Sequence, residues 1–444
     1  MQNSAPRLTL ARTLLYSMAS AGLNIMGMTM DTWLLYFYAP PQGSGRAAHL
    51  PAALVGALLL PISLWDAAID PFIGHWSDTT RSRCGRRRPF LILGAPAMAL
   101  FLVLVWMPPA GASPALTALY LVLMVTGFRT ALSLVGIPYD GTLPEMAPQP
   151  TDRVQLSYWK NVLGIVGVLI AAVAAAPLFE TAGPVAMGAV AGGVGMVAIW
   201  LTLLGLREAE RPAGETMGVL EGMRATLENR QFIYLALSTL FVYVAYGVVL
   251  ADLPYFATLV VGASESSVSL LQGAMIIVMA ATGPLWAMWN RRVPQRRLLN
   301  AAMLGTAVVL GLSFLVGSVP GVPALAQGLA MMGLSGIALG GYFIVVYALM
   351  GSVVDYDEML TGNRREANYY GTFSFARGLG GAAATLILPL LLQGLGYSRA
   401  NPLGARAAFL VAAAFVLIGL GIFRGYRLGD TPKETRANLG LPEA

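Results

Sequence analysis

Cysteine is nearly absent from this 444-residue chain; Cys84 alone excludes an internal disulfide and any multi-cysteine metal centre. Histidine is almost as scarce, and His49 and His75 leave little material for zinc or haem chemistry. Charged residues make up only 11% of the chain. Soluble domains carry about 25%, so the polar surface needed to stay in water is missing. No Walker-type or dinucleotide glycine motif accompanies the 50 glycines, which leaves ATP-driven work without support. Gly22, Gly127 and the run Gly336 to Gly341 read instead as helix-contact positions. No nucleophile–base set or metal cluster marks an enzyme.

What is abundant is apolar length. Hydrophobic residues form 57% of the chain, and Ala52–Trp76, Pro89–Trp106, Phe232–Val261 and Ala407–Phe423 are largely apolar. Each holds about 17 residues or more, enough to cross a hydrocarbon core near 30 Å. Spans are predicted near 13–39, 52–76, 89–107, 115–138, 158–179, 183–205, 231–260, 267–289, 298–317, 323–349, 369–395 and 405–424. The first follows Arg7 and Arg12 but runs through Trp33 to Tyr38, too long for a signal h-region, so it reads as retained.

The connections alternate in charge. One set holds Arg81, Arg83 and Arg86 to Arg88, then Arg153 and Lys160, then Arg207, Arg211, Arg224 and Arg230. It continues with Arg291, Arg292, Arg296, Arg297, Arg364 and Arg365, whereas the opposite set holds only Arg46, Arg399 and Arg406. By the positive-inside rule the first set and both termini are cytoplasmic, in an inner membrane. The formal charge of +6 is thus a topology signal, and no nucleic-acid partner is needed to explain it.

A polar stretch at 207–230 divides the chain into bundles at 1–206 and 231–425, with a tail at 426–444. The halves echo each other. Leu34 to Tyr38 precedes a short loop, a helix ending at Gly74 and a basic run; Leu253 to Phe256 precedes a short loop, a helix ending at Gly283 and the run Arg291 to Arg297. The fold class is therefore an all-α membrane protein of twelve transmembrane helices, two six-helix halves in the organisation of the major facilitator fold.

Asp66 and Asp70, four residues apart, project from one face of the second helix, about 6 Å apart along its axis. A charge at the bilayer centre costs a few kcal/mol, so the pair does not face lipid. Close carboxylates repel unless a cation sits between them, so the pair suits Na⁺ or a transferable proton; the alternative is a pair satisfied by a buried arginine. Asp31, Arg129, Asp252 and Arg377 also lie inside spans, and Arg129 with Asp31 or Arg377 with Asp252 are candidate charge pairs. Trp33, Tyr36 and Tyr38 could stack on a solute, but an interfacial aromatic belt accounts for Tyr36 and Tyr38 better. Asp78 and the arginines beside it read as a clasp on the cytoplasmic face, with Arg86 and Arg365 as its partners.

The run from Trp65 through Asp70-Pro71, Gly74, Asp78, Thr80-Arg81-Ser82-Arg83, Gly85-Arg86 and Arg88-Pro89 resembles the signature of the glycoside–pentoside–hexuronide:cation symporters, the melibiose permease-like family. Two further blocks agree: Asp152-Arg153 to Lys160, and Asp355 to Glu358 through Thr361-Gly362, Arg364 to Glu366 and Arg377-Gly378. The resemblance implies that Asp66 and Asp70 hold the coupling cation and that Arg377 falls at a lysine position important for coupling. Asn24 and Gly136 stand where melibiose permease has aspartates, and Asp140 replaces a nearby tryptophan. Asn24, Asp31, Arg129, Asp140, Lys160, Asp252 and Arg377 are accordingly the candidates for substrate binding and coupling. The function implied is cation-coupled symport of a sugar, glycoside or related small polar solute by alternating access, with Na⁺ or H⁺ as coupling ion and no other cofactor, by a monomer in the lipid bilayer. A carrier of lysophospholipid or another amphiphile, and a non-transporting sensor or assembly factor, are the alternatives.

Overall fold

The computed structural model describes residues 9–147, 150–208, 219–362 and 365–439. Arg7, Arg211 and Arg364, with parts of the 207–230 segment and the 426–444 tail, lie outside the described residues. Among those described, twelve long helices follow one another: α1 (Leu10–Tyr38), α2 (Ala52–Thr79), α3 (Arg88–Leu104), α4 (Pro114–Met146), α5 (Pro150–Thr181), α6 (Pro184–Gly205), α8 (Arg230–Tyr255), α9 (Ser267–Trp289), α10 (Gln295–Ser313), α11 (Ala324–Thr361), α12 (Glu366–Leu395) and α13 (Leu403–Phe423). Short helices α7 (Val219–Leu227) and α14 (Pro432–Leu439) lie in the central segment and the tail.

Local chemistry sets the ends. The Asn229 side chain accepts from the Gln231 and Phe232 amides at 3.0 and 3.3 Å, starting α8. Ser113 caps α4 by accepting from the Leu116 amide at 3.3 Å, with Pro114 in the first turn. Gly362, at φ 71°, closes α11 in the left-handed conformation. After Pro254, which lacks an amide hydrogen, α8 widens into a π turn over Phe256–Val260.

Among the described residues, nine of the long helices hold a stretch long and apolar enough to cross a bilayer, and α3 is a shorter apolar helix. The hydropathy of α1 is diluted by Thr13, Ser17, Ser20, Thr29 and Thr32, all buried against neighbouring helices. That of α10 is diluted by Arg296, Arg297 and Asn300. Three helices outrun their expected spans by more than two turns: α4 reaches 146, α5 starts at 150 and α11 reaches 361. Hydropathy registers only the part of a helix that lipid covers; these turns are polar.

The chain divides into two compact units: 1–39, 48–50 and 64–214; and 40–47, 51–63 and 215–444. In the first, α1 packs on α5 and α6, and α3 on α4 and α6. The second repeats this with α8 on α12 and α13, and α10 on α11 and α13. The crossings use glycine in both. A Cβ at Gly167 of α5 would collide with the Ala21 carbonyl of α1; one at Gly380 of α12 would collide with the Leu240 carbonyl of α8. Gly74 lies beside Ile137 as Gly283 lies beside Ile344. Trp33, Tyr36 and Tyr38 are almost wholly buried in the first unit, where Trp33 stacks on Phe179 at 4.4 Å. Tyr38 donates to the Val105 carbonyl at 2.9 Å. They are core residues, which corrects the interfacial-belt reading.

Candidate functional site

In the first unit the ionisable residues of the spans collect on α1, α2 and α4. The Ser133 hydroxyl of α4 donates to Asp66 Oδ1 at 3.1 Å, and the Trp65 indole to Thr130 Oγ1 at 3.2 Å. Asp70 lies one turn further along α2, and its Oδ1 is buried with no hydrogen-bond partner among the described residues. Neither Asp66 nor Asp70 forms an ion pair with an arginine among the described residues. The nearby guanidinium, Arg129, is taken by Asp31 at 2.6 Å, as expected. It remains close enough to act on Asp66 electrostatically.

Asn24 and Asp31 lie two turns apart on one face of α1, and both are exposed although most of the helix is buried. Gly27 lies between them, and a Cβ added there would meet nothing within 4 Å. An open, polar strip therefore runs along a core helix. Further along α4, Asp140 pairs with Lys160 at 2.5 Å, and the ammonium sits 5.1 Å from the centre of the Tyr139 ring. No cluster of three or more His, Cys, Asp or Glu side chains fit for a metal ion occurs among the described residues. An ion at the α2 pair would instead be met by two carboxylates and the Ser133 hydroxyl, hard oxygens of the kind that Na⁺ or a proton takes.

The second unit differs. Asp252 on α8 is fully buried, and neither carboxyl oxygen has a hydrogen-bond partner among the described residues. The expected Arg377–Asp252 pair does not form. Arg377 of α12 donates from Nη1 to Tyr347 Oη at 2.9 Å and lies 4.7 Å from the centre of the Tyr243 ring. Tyr243 and Asp252 are nine residues apart on α8, about two and a half turns, so they leave the helix on opposite sides. A guanidinium resting on Tyr243 faces away from Asp252.

At the basic end of the first unit, Asp78 pairs with Arg87 at 2.5 Å. Glu145 takes Arg86 at 2.5 Å and Arg87 at 2.9 Å. The Glu208 carboxylate accepts from the backbone amides of Arg86, Arg87 and Arg88 at 2.5, 3.0 and 2.9 Å, filling the open N-terminus of α3. Arg88 also donates to the Leu206 carbonyl at 2.6 Å. The second unit builds the same fastening: Asp430 accepts from the Gln295 amide at 3.2 Å, and Arg296 donates to the Arg424 carbonyl at 3.2 Å. Arg365 pairs with Asp357 at 3.6 Å. Asp78, Arg86 and Arg365, the gate candidates, are each paired inside their own unit. Glu145, Glu208, Ser133, Tyr243 and Tyr347 were not singled out by the sequence.

Ionisable side chains are thus held inside a bundle of spanning helices, and such residues mark solute or ion pathways. The chain belongs to the MFS/sugar transport protein family, whose model matches residues 15–430. The glucuronide carrier protein homolog of Escherichia coli (strain K12) is 27% identical over 431 residues, covering 94% of this chain and 92% of the relative. The inner membrane symporter YicJ of the same organism is 24% identical over 415 residues, covering 91% and 87%. A solved bacterial homologue of the human lysosomal transporter Spinster, inward-facing and unoccupied, shares the fold with a TM-score of 0.67 at 16% identity, covering 97% of each chain. The chain is thus a multi-pass membrane protein and a secondary transporter of a small-molecule solute, not an enzyme.

Proposed function

We propose that this carrier is a symporter that couples a sugar, glycoside or related small polar solute to Na⁺ or H⁺ bound at Asp66 and Asp70. One observation carries the reading: two carboxylates one turn apart inside the bundle, neither paired with an arginine among the described residues, one with a buried oxygen that has no hydrogen-bond partner there. Unpaired buried charge is costly, and a bound cation removes that cost. Binding neutralises the pair, so the loaded carrier reorients more readily than the carrier without its ion. Ion and solute then raise each other's affinity by the same factor. The relatives named as a glucuronide carrier homolog and a symporter support the solute class and the coupling. The arginine-rich connections support an inner-membrane orientation with both termini cytoplasmic.

The test is solute accumulation in proteoliposomes under an imposed Na⁺ or H⁺ gradient. Asp66→Asn and Asp70→Asn should reach purification folded yet fail to concentrate solute. Full uphill accumulation by either variant overturns the assignment.

A further inference from the structure

The turn joining α9 to α10 carries Arg291, Arg292, Arg296 and Arg297. Among the described residues none of the four forms an ion pair, and Arg296 donates to the Arg424 carbonyl at 3.2 Å. Asp430, the acid at this turn, is engaged elsewhere: both its oxygens accept from the Gln295 amide at 3.2 Å. The matching turn of the first unit is built differently. There Glu145 takes Arg86 at 2.5 Å and Arg87 at 2.9 Å, and Asp78 takes Arg87 as well. The positive-inside rule accounts for arginines on this face. It does not account for one turn neutralising its charge internally while the other leaves Arg291, Arg292 and Arg297 exposed.

These arginines head two stripes of exposed apolar side chains. On α9, Ile277, Leu285 and Met288 share one exposed face, which ends at Arg292. On α10, Leu304, Val308 and Leu312 share the exposed face that Arg297 opens. In a chain that crosses the bilayer, such faces meet acyl chains. Both helices pack on α11. Gly333 of α11 faces Val278 of α9, while Ala338 faces Gly305 of α10. At about 100° per residue, Ile337 and Leu334 point into the arc between those two contacts, and both are exposed. They form the floor of a groove walled by α9 and α10. Trp286 closes its arginine end, lying against Gly341 and donating to the Ile337 carbonyl at 2.9 Å. Trp289, 48% exposed, meets Trp286 edge-on at 5.2 Å. An exposed indole at the end of a span marks the level of the lipid headgroups.

We infer that this groove binds an anionic phospholipid, with its headgroup at Arg292 and Arg297 and an acyl chain on Leu334 and Ile337. A guanidinium fork matches a phosphate through two parallel N–H···O bonds. A zwitterionic headgroup brings an amine that cancels its phosphate, so a net acidic headgroup answers the arginines better. The lipid supplies the counter-charge that Asp78 and Glu145 supply in the first unit. Its chain covers the exposed floor, a contact that a free phosphate ion lacks. The site shares no residue with Asp66 and Asp70, and its failure would leave the ion-coupling proposal untouched.

The experiment measures binding of phosphatidylglycerol to the detergent-solubilised full-length protein, by native mass spectrometry and thermal shift. Phosphatidylcholine with the same chains and inorganic phosphate are the comparison probes. Phosphatidylglycerol should bind at least about tenfold more tightly than phosphatidylcholine, and phosphate should give no shift. Arg292→Gln and Arg297→Gln, made together, should abolish the preference. Ile337→Trp fills the floor without altering charge and should weaken binding of both lipids. Arg81→Gln with Arg83→Gln, at exposed arginines of the first unit, should leave the preference intact, which separates a site from general surface charge. Lipid-free unfolding temperatures close to that of the wild type certify the arginine variants as folded. Equal binding of the two lipids by the wild type, or a phosphate shift as large as that of phosphatidylglycerol, overturns the inference. So does an undiminished preference in the variant of Arg292 and Arg297, an equal loss in that of Arg81 and Arg83, or unchanged lipid binding by Ile337→Trp.

Discussion

Asparagine at position 70 separates the two effects that the acid pair exerts on stability. The Asp70 Oδ1 is buried and unsatisfied, and such a group costs about 1–3 kcal/mol, more when charged. Two like charges about 6 Å apart, the rise over four residues of α2, repel by about 3 kcal/mol at an effective dielectric of about 20. Asp70→Asn removes one charge and supplies an amide donor on the side of Asp66. In ion-free buffer the variant should therefore be more stable than the wild type, by about 1–3 kcal/mol after partial relief of both terms. A saturating ion reverses the order of gains. At about one hundred times its dissociation constant it stabilises the wild type by about 2.7 kcal/mol, and the variant by nothing. The assay is thermal unfolding of detergent-solubilised protein in choline and sodium salts of equal ionic strength, with a proton titration in the absence of sodium to tell the two ions apart. A variant less stable than the wild type without ion, yet still stabilised by it, would refute the reasoning.

Three further outcomes follow from the same accounting. Asp252→Leu, close in volume, removes two buried oxygens without partners and should raise the unfolding temperature; a fall would mean that the carboxyl does structural work. Glu208→Ala strips the acceptor from three backbone amides at the start of α3, a loss of about 0.5–2 kcal/mol by analogy with helix caps. Hydrogen exchange should quicken at residues 86 to 88 in that variant, and unchanged protection would count against the cap. His49 lies 4.9 Å from the Phe37 ring, and burial pushes its imidazole below the ordinary value of 6.5. The native protein thus holds His49 neutral where the unfolded chain protonates it, so its contribution is complete above 6.5 and fades as pH falls through the lowered value. His49→Gln should flatten the decline of unfolding temperature on the acid side; an unaltered slope rejects the assignment.

The bundle was legible because lipid imposes it: a chain this apolar must satisfy its backbone within helices, and arginine placement marks their ends. The Asp31–Arg129 pair was legible too, since opposite charges in neighbouring spans have few other partners. The Arg377–Asp252 pair failed because partner choice depends on helix rotation, and Asp252 leaves α8 on the side opposite Tyr243. Ser133 gave no signal, because a lone hydroxyl beside Thr126 and Thr130 is common in a spanning helix and does not mark a site. Glu208 lies in a connection whose composition reads only as polar, and its approach to the amides of 86 to 88 exists only in three dimensions. The buried tyrosines of α1 were misread because aromatic residues at a span end suit a membrane surface and a helix crossing equally well.

The fastening of Glu208 onto α3 and of Asp430 onto α10 bears on birth order. In each half the acid arrives just after that half's sixth long helix, so it is made last. The Glu208 contact with α3 can therefore close as soon as residue 208 emerges, before α9 to α13 are made.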